Sequence, residues 1–139
     1  MRALVLAAFL GSGCFTPVGD DSCRVDSDCG DAVCTRIGEC TSQAYALRIH
    51  WTLRGQAANV AGACDGISEL EVLVGDPSIA AEHGIRPVPC SSGSFFFDKL
   101  PLGYTQVGVS AFGNSGGYLT SARGTSIGAG GAVTLDLRF

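Results

Sequence analysis

This sequence is short of the residues that catalysis uses. His50 and His83 are the only imidazoles in 139 residues. Neither sits in a nucleophile motif, and Gly-x-Ser-x-Gly is absent. Ser91 and Ser92 adjoin Cys90 without an evident partner. Glycine runs do not lead from a strand into a helix, so no phosphate loop is implied. Basic residues are also few. Nine Lys and Arg stand against thirteen Asp and Glu, a net charge of −4. That balance argues against nucleic-acid binding, which requires a basic face, and equally against adhesion to anionic lipid by charge alone. No apolar run approaches the ~20 residues of a membrane span. Neither Asn59 nor Asn114 heads a glycosylation sequon.

What is present begins with Arg2, an apolar run from Ala3 to Leu10, and the small residues Gly11, Ser12 and Gly13 before Cys14. A basic start, an apolar run and small residues ahead of a cut describe an export signal. A cysteine directly after the small residues resembles the lipobox of bacterial lipoproteins, with Gly11 where an aliphatic residue is usual. The resemblance implies that residues 1–13 are removed, that Cys14 is acylated, and that the lipid holds the chain to a membrane. Phe15, where an Asp would mark inner-membrane retention, implies the outer membrane. The rival reading is cleavage by the ordinary signal peptidase, which leaves Cys14 a free thiol.

Cysteine arithmetic favours the lipid. The seven cysteines are Cys14, Cys23, Cys29, Cys34, Cys40, Cys64 and Cys90. An odd count in an exported protein leaves one thiol over. A thioether at Cys14 accounts for it and leaves six to pair. A diacylglyceryl group with an N-acyl chain anchors stably where one chain is marginal. Residues 14–22 then read as a linker, and the acidic surplus concentrates in residues 14–43.

Residues 23–40 carry four cysteines with gaps of five, four and five residues, and only Val25, Val33 and Ile37 as aliphatics. Such a stretch cannot bury a core, and covalent staples must replace one. Zinc is disfavoured, since structural sites use cysteines two to four residues apart. Calcium is disfavoured too. Cys29 and Gly30 interrupt the alternation of Asp26, Asp28 and Asp31, and no Glu arrives in register. Those carboxylates read as solvated, and no metal or cofactor is expected. Four cysteines allow three pairings. The wording Asp26-Ser-Asp-Cys29-Gly30, Val33-Cys34 and Gly38-x-Cys40 resembles small Dickkopf-type and EGF-like modules, which implies Cys23–Cys34 with Cys29–Cys40.

From Ala44 the pattern alternates. Tyr45, Leu47, Ile49, Trp51 and Leu53 are apolar or aromatic, while Ala46, Arg48, His50 and Thr52 lie between them. This is a strand with one buried face. Further strands are expected at 69–74, 94–97, 105–112, 118–123 and 133–139, with a poor one at 85–88 that Pro87 and Pro89 confine to an edge. Gly75 to Gly84 carries helix signals: Asp76 as cap, Pro77 at the first position and Gly84 as stop. Gly113-Asn-Ser-Gly-Gly117 and Gly128-Ala-Gly-Gly131 supply turns. Frequent turns and about seven short strands point to an all-β sandwich across 44–139. Cys64 and Cys90 flank the second strand and its connection, and pairing is their plain reading. Glu69 and Glu71 share a strand face, ~7 Å apart by strand rise, but nothing else in the sequence makes a sugar-cleaving cleft.

The segment Gly93-Ser-Phe-Phe-Phe-Asp-Lys-Leu-Pro-Leu-Gly103 fits Gly-x-Phe-x-Phe-x-x-Leu-Pro-x-Gly. It resembles the strand–turn–strand of transthyretin-like, carboxypeptidase-regulatory-like domains. The resemblance implies a seven-stranded prealbumin/Ig-like sandwich. An antibody-type domain is disfavoured, because Trp51 precedes both Cys64 and Cys90. The family's tyrosine two residues after that glycine is replaced by Thr105. Tyr104 comes one residue early, which puts it on the opposite face or at the rim.

The expected protein is a lipid-anchored, non-catalytic envelope module of the outer membrane that presents the sandwich to a protein or glycan partner. The alternative is a small secreted hydrolase using His50 or His83, which needs a Ser or Cys nucleophile within reach of the imidazole.

Overall fold

The computed structural model describes residues 22–125 and 131–139. The expected export signal, Cys14 and most of the expected linker, and residues 126–130 with most of the second glycine-rich turn, lie outside the described residues. The described chain is all β, with only two short 3-10 turns besides strands.

The N-terminal module is a 3-10 turn at Asp26–Cys29 beside the two-residue strands β1 (Val33–Cys34) and β2 (Cys40–Thr41), which pair antiparallel. Its interior is sulfur rather than hydrocarbon. Cys23 bonds to Cys34 and Cys29 to Cys40, the pairing that the Dickkopf/EGF-like resemblance implies. Each bridge closes a sequence separation of 11, worth about 3 kcal/mol in the chain-entropy model.

The acidic side chains here are not simply solvated. The Asp28 carboxylate accepts the backbone N–H groups of Arg24 and Val25 at 2.8 and 3.1 Å. Asp26 accepts the Cys34 N–H at 3.0 Å and is ion-paired to Lys99 at 2.7 Å. These partners hold both carboxyls below their ordinary range.

The sandwich begins with β3 (Ala44–Leu53), whose Tyr45, Leu47, Ile49, Trp51 and Leu53 are all buried, as the alternation requires. Arg54 and Gly55 both take positive φ, the conformation of a tight hairpin turn. They return the chain as the short β4 (Gln56–Ala57). Then come β5 (Ile67–Asp76), β6 (Ala81–Val88), a 3-10 turn (Cys90–Ser92), β7 (Ser94–Pro101), β8 (Gln106–Gly113), β9 (Tyr118–Thr125) and β10 (Ala132–Leu137).

One sheet is centred on β3, with β10 parallel on one side and β7 and β4 antiparallel on the other. The second sheet runs β6–β5–β8–β9, antiparallel throughout. Between them lies one core: Leu47, Ile49 and Trp51 from β3, Phe97 and Leu100 from β7, and Leu135 and Leu137 from β10. Leu70, Val72 and Val74 from β5 and Val107, Val109 and Ala111 from β8 face them.

Two further expectations are corrected. The segment Gly75–Gly84 holds no helical turn. Asp76 ends β5, and its carboxylate accepts the Ser78 N–H at 2.8 Å and the Ser78 hydroxyl at 2.6 Å. A short polar side chain that closes a turn on its own backbone gives the same sequence signal as a helix cap. The chain reverses there, and β6 starts at Ala81, so His83 lies on a strand. Ala81 and Ile85 pack toward the core along that edge strand.

Tyr104 is buried, only 4% exposed, rather than left at an open rim. Its carbonyl accepts the Tyr45 hydroxyl, and its own hydroxyl donates to Glu39 at 3.2 Å. Burial, reinforced by the Glu39 charge, pushes its phenol up.

Tyr104 is one of several ties between module and sandwich. Arg36 makes a two-bonded ion pair with Asp98, and its backbone N–H bonds to the Lys99 carbonyl at 3.0 Å. Ile37 packs against the core cluster. The stapled stretch therefore covers the C-terminal half of the β7 edge, a partner an exposed strand otherwise seeks elsewhere.

Candidate functional site

Two strands share one edge of β3, and between them the sheet opens. β7 pairs with β3 as far as His50, and β4 takes over from Thr52. The Cys90–Ser92 turn fills the interval, and Gly93, with φ +67°, swings the chain into β7. The Gly93 carbonyl accepts the Trp51 N–H at 3.1 Å. The Trp51 indole donates to the Cys90 carbonyl at 2.8 Å. The Cys64–Cys90 bridge ties this turn to the loop before β5. Gly93 also passes close to Ala58, whose Cβ a side chain there would meet at 3.8 Å.

The result is an open cleft of about 310 Å³ lined by His50, Thr52, Asn59, Ser92, Ser94 and Thr134 among others. His50 is half-buried at its centre. Register puts Ser94 directly opposite on β7 and Thr134 directly opposite on β10, a spacing of about 5 Å between side-chain roots.

Hydrogen bonding already present decides what each group can offer. The Thr52 hydroxyl donates to Asp136 at 2.7 Å, and the Ser92 hydroxyl donates to the Pro89 carbonyl at 2.7 Å. Their oxygens therefore face the cleft as acceptors. Asp136 also accepts the Gly55 N–H at 2.7 Å and the Arg138 guanidinium at 2.8 Å. The Gly55 bond most of all, then Arg138 and Thr52, holds its carboxyl at about 2. Among the described residues, no acidic side chain, Lys or Arg lines the cleft. One row along the same face, Phe96 is 48% exposed, with the Arg48 guanidinium 4.7 Å from its ring centroid.

The other residues singled out from sequence lie elsewhere. His83 is on β6 of the opposite sheet, apart from His50. Glu69 is ion-paired to Arg86, whose guanidinium also stacks on Phe112. The sulfurs of Cys23, Cys29 and Cys40 lie within 4.8 Å of one another, but all three are in bridges and offer no thiolate. Among the described residues, neither imidazole is hydrogen-bonded to a hydroxyl or thiol.

Sequence reasoning placed His50 on the outer face of its strand and missed Ser94 and Thr134 beside it. Alternation along 94–97 was available as a signal for Ser94. The register that brings three strands into one row was not. No protein-family model, characterised protein or solved structure matches this chain.

Proposed function

We propose that this chain is a lipid-anchored, non-catalytic cell-envelope module that presents its sandwich to a protein or glycan partner. The observation that carries the reading is the polar cleft at His50 with the open Phe96 ring beside it. Rigid strands frame a concave site of ligand size, which is what recognition needs. The three disulfides mark an oxidising, extracytoplasmic setting. The run from Arg2 to Cys14 supports export and acylation at Cys14, and Phe15 after it supports the outer membrane. The Gly93–Gly103 motif, with its strand–turn–strand, supports a transthyretin-like sandwich. At Gly103 a Cβ would displace the Asp76 carboxylate, which the Ser78 N–H and hydroxyl hold in place.

Crosslinking the full chain in the envelope of a Gram-negative host, followed by mass spectrometry, tests the reading. Recovery with the outer-membrane fraction and a crosslinked neighbour at the β3–β7 face are expected. Cys14→Ser should move the chain to the soluble fraction. A wild-type chain that is soluble and crosslinks to nothing at this face would overturn the proposal.

A further inference from the structure

We infer that the His50 cleft and the Phe96 ring together bind a neutral oligosaccharide. This rests on the binding-module reading and decides between its two partner classes. The cleft offers hydroxyls from Ser94 and Thr134, the Asn59 amide, the His50 imidazole, and acceptor oxygens on Thr52 and Ser92. Among the described residues, Ser94, Thr134, Asn59 and His50 make no side-chain hydrogen bond of their own. Such a set both gives and takes hydrogen bonds at close spacing, which matches a polyol, whose every hydroxyl does both.

Charge argues the same way. Among the described residues no acidic side chain, Lys or Arg lines the cleft, and the nearby Asp136 is already satisfied by Gly55, Thr52 and Arg138. A charged group seated in the cleft itself would be desolvated without a counter-ion, since Arg48, the cation of this face, is turned to the Phe96 ring. A protein anchor would want an apolar pocket that excludes water around a large side chain, and this lining mixes the polar side chains of His50, Thr52, Asn59, Ser92, Ser94 and Thr134 with Trp51, Ala57 and Ala58.

Phe96 extends the site in one direction. It lies two residues along β7 from Ser94, about 7 Å, which is the reach of a second ring. Arg48 fixes the Phe96 ring from one side, and nearly half of the residue stays open. The apolar C–H face of a sugar packs on such a ring by burying carbon surface. The site therefore takes one sugar in the cleft and a neighbouring one on Phe96.

The test is titration of the ¹⁵N-labelled full chain, held in a sugar-free zwitterionic detergent, with cellohexaose, maltohexaose and chitohexaose, and with tetragalacturonate as the charged comparison. At least one neutral hexasaccharide should shift the His50, Ser94, Phe96 and Thr134 amides saturably. Phe96→Ala and His50→Ala should each weaken that binding at least fivefold, and Ser94→Ala and Thr134→Val about threefold. Glu82→Gln, on the opposite sheet, should leave it unchanged. Retention of the Trp51 indole signal checks the fold of each variant. No shift with any neutral probe, shifts confined to other faces, or tighter binding of tetragalacturonate would each overturn the inference. If the sugars leave the face unshifted while envelope crosslinks join it to a protein, the glycan inference fails and the binding-module reading stands. If neither engages it, both fail.

Discussion

The two parts of this molecule are stable for opposite reasons. The sandwich from β3 to β10 buries a continuous core of Leu, Ile, Val, Phe and Trp between two sheets. The module before it has almost no apolar interior and relies on two disulfides, carboxylates bonded to its own backbone, and the sandwich surface. The boundary teaches the most. Ile37, Arg36, Asp26 and Glu39 each find a partner on the sandwich side, at the core cluster, Asp98, Lys99 and Tyr104 respectively. The module is thus a cap on the β7 edge rather than a free tether.

Truncating the core should break both parts at once. Phe97→Ala empties a fully buried position on β7 and should cost about 3–5 kcal/mol, read by denaturant unfolding. Because β7 also carries Asp98 and Lys99, the module should become protease-sensitive in the same variant. A module that stays protected while the sandwich loosens would show that the two are independent.

Removing Cys64–Cys90 should be nearly as severe. The bridge spans a sequence separation of 26 and is worth about 3–4 kcal/mol in the chain-entropy model. It also pins the Cys90–Ser92 wall of the cleft. The paired change Cys64→Ala with Cys90→Ala should therefore lower the melting temperature and blur the His50 and Ser94 amide signals. Loss of stability with those signals unmoved would separate the bridge from the site.

Removing Cys29–Cys40 sharpens the contrast from the other side. Cys29→Ala with Cys40→Ala should open residues 24–40 to proteolysis while the sandwich keeps a cooperative melt. Loss of that cooperative melt would make the module part of the sandwich's own folding unit.

The smallest effect is in pH. Partners hold the carboxyls of Asp26, Asp98 and Asp136 below their ordinary range, Asp136 at about 2. A depressed carboxyl contributes stability that is fully present above its unfolded pKa near 3.9. That contribution fades as pH falls through the folded value. Stability should be flat from pH 5 to 7 and decline below about pH 4, followed by thermal melts at constant ionic strength. Asp98→Asn should shrink the part of that decline that belongs to module docking.

The sequence made some of this visible and hid the rest for physical reasons. The alternation from Tyr45 to Leu53 names its buried face because a strand has period two. The cysteine-rich stretch announces staples because it lacks carbon to bury. The Asp76-Pro77 pair misleads because a helix cap and an Asp-closed turn use the same short side chain, and only the pairing of β6 with β5 decides between them. Tyr104 looked misplaced because its partners, Tyr45 and Glu39, lie about 60 residues away in the chain. The cleft was invisible for a similar reason. His50, Ser94 and Thr134 form one row only through pairings between strands distant in sequence.

The compartment, the staples and the anchor all depend on how seven sulfurs are used. Non-reducing digestion and mass spectrometry of the chain purified from envelopes measures that directly. The account predicts three linked peptide pairs, Cys23–Cys34, Cys29–Cys40 and Cys64–Cys90, and an N-terminal peptide whose Cys14 carries an acyl mass. A free thiol among the six, a different linkage, or an unmodified Cys14 would contradict it.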